Sequence, residues 1–268
     1  MAAEFSQIPD TVPADAPSPT SLVTAGAIAD ALAGALAAAE MRLIDEQAPL
    51  GLDALDEVAL HPIIAEGLSG SAGSGWGVHR EALYPGDHDE ADLAADSDRQ
   101  RCDIVLTDRP GLALLDPVHA DRRVRAATDT LFAELAPAME ADSAANAVRP
   151  EDAFWVEIKS VAQIAYRDGV PGPNRSYASE MVNGPAADVC KLIGDGIITR
   201  AAAALVLFTE DDAIAAHDAH QTAHALLDMG LPVGIPEIRS VPIADRAGNA
   251  SATIAVFPIR GLGLQLHH

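Results

Sequence analysis

The stretch Phe154-Trp155-Val156-Glu157-Ile158-Lys159 decides how this chain is read. Its bulky and β-branched residues favour an extended strand. Side chains alternate between the two faces of a strand, so Glu157 and Lys159 project to one side while Val156 and Ile158 pack on the other. A carboxylate and an ammonium two residues apart then share one small volume. Upstream, Cys102-Asp103-Ile104-Val105-Leu106 is a strongly apolar strand with one charge at its edge. If the two strands are neighbours in register, Asp103 meets Glu157. Converging carboxylates repel each other, and a divalent cation relieves that repulsion. Mg2+ prefers oxygen ligands and keeps several waters, of which a phosphate can replace one and another can be the nucleophile. Lys159 is suited to orient that water and to offset charge in the transition state.

Only two of the 17 basic residues are lysines, Lys159 and Lys191. A base-composition bias accounts for the arginine excess and the abundant alanine. It does not account for Lys191 lying in Asp188-Val189-Cys190-Lys191-Leu192, the second segment with a charged cluster in an apolar setting. Lysine can adjust its pKa beside metal-bound water, whereas arginine stays charged.

Working outward, residues 1–20 hold four prolines among small polar residues and read as a disordered arm. Residues 21–48 read as a helical extension, with Leu22, Ile28, Leu32, Leu36 and Leu43 near one face. Residues 49–268 read as one domain. In it Leu52–Leu68 is a helix with Leu55, Val58, Ile63 and Ile64 as core candidates and Pro62 as a kink, and 67–77 is a Gly/Ser connector. Strands follow at 78–84 and 101–106, then an inserted helical segment at 116–147, then a strand at 153–160. Residues 161–184 read as irregular, 185–198 as a helix with Pro185 in its first turn, 202–208 as a strand, 211–229 as a helix and 252–259 as a last strand. The order helix, three strands, helix, strand predicts an α/β fold with a mixed sheet flanked by helices.

Asp, then Glu-x-Lys on the next strand, resembles the PD-(D/E)XK nuclease superfamily, over roughly residues 52–208. The resemblance implies a restriction-endonuclease-like core, preceded here by the N-terminal helical extension. It implies Asp103 and Glu157 as ligands of Mg2+ (or Mn2+), Lys159 as the group that positions water, and DNA as substrate. The first helix of such proteins often adds an acid, for which Glu66 is the choice and Glu57 the rival. The second helix often adds a polar or basic residue, which is Lys191 here. Cys102 stands where the named motif has proline, a position that varies. The 54-residue gap from Asp103 to Glu157 requires the insertion at 116–147.

Other residues near these segments are weaker candidates. Arg101 precedes Asp103 and can neutralise phosphate. Arg175 and Tyr177 follow the catalytic strand in a loop and can supply a phosphate contact and a base-stacking ring. Glu81 on the first strand is a further acid, with an exposed strand residue as its default reading. His217, His220 and His224 share a helix face and read as solvated.

The formal charge of −23, with 40 acidic residues, works against nucleic acid as a partner unless basic groups are gathered at the site or bound metal supplies positive charge. It motivates an alternative, a catalytically inactive module on the same fold that binds a basic protein. An unrelated α/β enzyme with an accidental triplet is the third reading. The Ala-rich stretch at 21–39, interrupted by Asp30, reads as a helix rather than a membrane span. The N-terminus lacks a signal-peptide pattern, and two cysteines without a framework fit a reduced, cytoplasmic setting. Nothing marks a dimer face, although many proteins of the superfamily cut as homodimers.

Overall fold

The computed structural model describes residues 23–70, 75–86, 99–108, 110–128, 147–167 and 169–262. The arm at 1–20 and residues 129–146 of the insertion lie outside them. Three strands form an antiparallel meander: β1 (Gly77–Leu83), β2 (Arg101–Thr107) and β5 (Phe154–Ala162). Between β2 and β5 lie β3 (Ala113–Leu114), paired with β4 (Ala147–Val148), and helix α3 (Pro117–Thr128). β5 pairs in parallel with β8 (Ala201–Thr209), which requires a crossover. The crossover carries a small hairpin, β6 (Ile164–Arg167) with β7 (Val170–Pro173), and helix α4 (Tyr177–Gly194). Helix α5 (Asp212–Asp228) then leads to β9 (Glu237–Pro242) and β10 (Ser251–Pro258), which complete a mixed six-stranded sheet in the order β1-β2-β5-β8-β10-β9.

Each face of the sheet buries its own core. Helices α1 (Ala25–Asp45) and α2 (Glu57–Gly70) cover one face, packing Ile28, Leu32, Leu36, Leu60 and Ile64 on Ile104, Val156, Ile158 and Ile254. Helix α1 is thus part of this layer. Gly67 lets the two helices close, because a Cβ there would overlap Ala35. Helices α4 and α5 cover the other face, packing Val189, Leu192, Ala219 and Leu226 on Trp155, Leu205, Leu207 and Phe257. β8 is buried along its whole length, and its alanine run Ala201–Ala204 takes little room beneath both helix layers. Among the described residues no helix is long and apolar enough to cross a membrane.

Several boundaries differ from the sequence reading. α4 starts at Tyr177, and Pro185 stands inside it. A proline within a helix frees the carbonyl four residues back. That carbonyl belongs to Met181, and the Thr222 hydroxyl of α5 donates to it at 3.3 Å. α2 starts at Glu57 rather than Leu52, because Asp56 Oδ1 accepts the Ala59 amide at 2.8 Å and caps it. Val58, expected in the core, is 68% exposed. The edge strand β9, polar and half-exposed, is absent from the sequence reading.

Candidate functional site

β2 and β5 run side by side through Leu106–Phe154, Val105–Trp155 and Ile104–Val156, where their pairing ends although both strands continue. Past that point they fork. Asp103 stands in the fork, and its Oδ2 accepts the Ile158 amide at 2.7 Å, replacing the ladder carbonyl that β2 no longer offers. Cys102, fully buried, bonds through Sγ to the Val156 carbonyl at 3.3 Å. Burial pushes its thiol pKa well up, so it serves as a neutral donor.

Glu157 and Lys159 face the fork from β5. Glu157 is 2% exposed, and its Oε1 accepts the Tyr84 hydroxyl at 2.6 Å. The Tyr84 ring is stacked on Trp155 with centroids 5.8 Å apart, which fixes the hydroxyl. Burial first, and then the charge of Asp103, push the Glu157 carboxyl up to about 8 against the opposing Tyr84 hydrogen bond. Burial and nearby anionic groups also keep the Tyr84 phenol protonated.

Lys159 Nζ donates to Glu57 Oε1 at 2.7 Å and lies 3.7 Å from Asp188 Oδ2. Burial acts against its charge, but the Glu57 hydrogen bond and the Asp188, Glu57 and Asp103 charges hold its pKa above the usual lysine value. Its stem rests on Gly184 of α4, where a Cβ would come within 3.2 Å of Cγ and Cδ. Lys191 Nζ sits between two acids, 2.7 Å from Asp188 Oδ1 and 3.8 Å from Glu157 Oε1. Open pockets flank α4 on both sides. One of about 230 Å3 reaches Lys159, and one of about 390 Å3 reaches Tyr84 and Lys191.

The residue that the sequence reading missed is His61. It lies one turn after Glu57 on α2, is 2% exposed, and has no hydrogen bond to either ring nitrogen. Nε2 is 3.8 Å from Asp103 Oδ1, and Nδ1 is 3.6 Å from Glu81 Oε1. Glu81 has φ +52, a conformation that side-chain-bearing residues rarely adopt, and its carbonyl accepts from Arg101 at 3.0 Å. Among the described residues, one group of three or more His, Cys, Asp or Glu side chains is close enough to hold a metal ion. It is Glu57, His61 and Asp103, with ligand atoms within 4.8 Å of one another. A buried imidazole without partners costs about 1–3 kcal/mol. A cation bound between these carboxylates would give one of its nitrogens a partner.

Asp103, Glu157, Lys159 and Lys191 therefore converge. Glu66 does not. It is 70% exposed and pairs with Arg42 at 3.3 Å. Nine residues separate it from Glu57, about two and a half helical turns, so the two acids point to opposite sides of α2. Glu57, the rival, is the acid at the site. Tyr177 is not available for base stacking, since its ring packs on the α4–α5 core and its hydroxyl donates to Asp218 at 2.8 Å. Arg175 is exposed in the turn before α4. Arg101 lies at the rim through its bond to Glu81. His217, His220 and His224 are exposed on α5 and belong to no metal-suited group of described residues.

No protein-family model, no curated protein and no solved structure matches this chain.

Proposed function

We propose that this protein is a metal-dependent nuclease that hydrolyses DNA phosphodiester bonds on a restriction-endonuclease-like core. The observation that carries the reading is the fork. There two strand carboxylates, Asp103 and Glu157, meet a lysine, Lys159, and an otherwise unpartnered buried histidine, His61. The sequence of elements α2, β1, β2, β5, α4, β8 is also the one that the resemblance to the PD-(D/E)XK superfamily implies.

Glu57, His61 and Asp103 would hold the divalent cation, which when bound supplies Lewis-acid polarisation of a phosphoryl oxygen and a more acidic water. The chain's own groups do the rest. Lys159, steadied by Glu57 and Asp188, orients the attacking water and offsets negative charge on the phosphoryl group. The water oxygen bonds to phosphorus, the bond from phosphorus to the leaving sugar oxygen breaks, and the proton lost by the water balances the one gained by the leaving oxygen. The acidic surface slows encounter with DNA at low salt and makes the metal indispensable for retaining it.

The test is cleavage of supercoiled plasmid and of single-stranded DNA with Mg2+ or Mn2+, comparing the native chain with Lys159→Ala. Metal-dependent cutting that disappears in the variant is the expected result. Equal cutting by both chains points to contamination or a different site, and none by either from low to high salt favours a non-catalytic binding module.

A further inference from the structure

We infer that the site takes a single divalent ion, and that Lys191 is a built-in second cation. The inference rests on the nuclease reading for the meaning of the site, but not for its geometry.

Two-metal phosphodiesterases clamp the substrate between ions about 3.5–4 Å apart. Here two of the four carboxylates meet Lys191 and two meet His61, with Glu157 also lying against Asp103. Glu57 and Asp103 face His61, whose two ring nitrogens have no hydrogen-bond partner. Glu157 and Asp188 face each other across Lys191. Its Nζ lies 2.7 Å from Asp188 Oδ1 and 3.8 Å from Glu157 Oε1, bridging acids from β5 and α4 as a second metal ion would. The same Glu157 oxygen already accepts the Tyr84 hydroxyl at 2.6 Å. Asp188 is also 3.7 Å from Lys159. The second pair of acids is thus bridged by a lysine, whereas the first pair faces a buried imidazole that has no hydrogen bond.

Two measurements test the inference. Mn2+ titration by calorimetry should give one ion per native chain, and anomalous diffraction from Mn2+-soaked crystals should give one peak, at Glu57, His61 and Asp103. Lys191→Met should gain a second, weaker ion between Glu157 and Asp188, while Lys191→Arg should stay at one. Near-UV circular dichroism checks that each variant is folded, and the native crystal decides the matter if Lys191→Met is not. Two ions in the native chain overturn the inference. A folded Lys191→Met that still binds one ion also overturns it. In either case a native chain that cuts DNA, and loses cutting in Lys159→Ala, leaves the nuclease reading standing. No Mn2+ binding by the native chain overturns both.

Discussion

Asp103 Oδ2 accepts the Ile158 amide at 2.7 Å while Oδ1 faces His61 Nε2 at 3.8 Å, so one carboxylate both closes the fork and opens the candidate metal centre. The two duties can be separated. Asp103→Asn keeps an acceptor for the amide but loses the charge, whereas Asp103→Ala loses both. Leaving a buried amide unsatisfied costs about 1–3 kcal/mol. We expect Asp103→Asn to unfold near the native temperature without binding Mn2+, and Asp103→Ala to lose both binding and stability by that amount. Calorimetric melting and Mn2+ titration measure the pair. An equally destabilised Asp103→Asn would show that the amide bond depends on the charge.

His61 adds one imidazole nitrogen to a pair of carboxylates, and imidazole suits first-row transition ions better than Mg2+. Mn2+ should bind the native chain more tightly than Mg2+. His61→Ala should weaken Mn2+ at least about tenfold and narrow its advantage over Mg2+. Parallel titrations with the two ions decide this, and an unchanged Mn2+ affinity would remove His61 from the ligand set.

Glu157 links stability to pH. Its carboxyl is pushed up to about 8, mainly by burial, from an ordinary value of 4.5 in the open chain. Between these values the native state keeps a proton that the unfolded state has lost, so stability falls as pH rises. Below about 4.5 both states are protonated and the penalty is absent; above about 8 it is fully expressed, on the order of a few kcal/mol. In chelator, denaturant unfolding should show the native chain losing stability from pH 5 to pH 8.5, and Glu157→Gln losing much less. A variant with the native slope would place the effect elsewhere.

Gly184 gives the Lys159 stem its bed. Gly184→Val forces the stem to shift, since an added Cβ already lies 3.2 Å from two of its carbons. Cleavage should fall at least about tenfold while Mn2+ affinity, set by Glu57, His61 and Asp103, stays within about twofold. Loss of both together would mean that α4 itself had moved.

The sheet was largely legible in the sequence because its central strands are written in β-branched and aromatic residues. The approach of Asp103 to Glu157 follows from alternation and an assumed neighbour. What was hidden depended on groups distant in sequence. Pro185 reads locally as a helix start, and only Thr222, 41 residues away from Met181, lets the helix run through it. A helix running from Leu52 to Leu68 favours Glu66, which lies late on it. Asp56 as a cap was the available signal, and starting at Glu57 sets Glu57 and His61 on one side, one turn apart. Glu81 reads as an ordinary strand residue, because a positive φ inside a strand leaves no mark on composition.

The fork also gives the chain a built-in spectroscopic gauge. The Ile158 amide donates to a side chain rather than to a neighbouring strand's carbonyl, so its chemical shift and deuterium exchange respond to the Asp103 carboxylate. Drawing that carboxylate toward a cation would lengthen this one bond and leave the Val156 region of the ladder untouched. A single backbone resonance thus reads the occupancy of the centre, without substrate and without turnover.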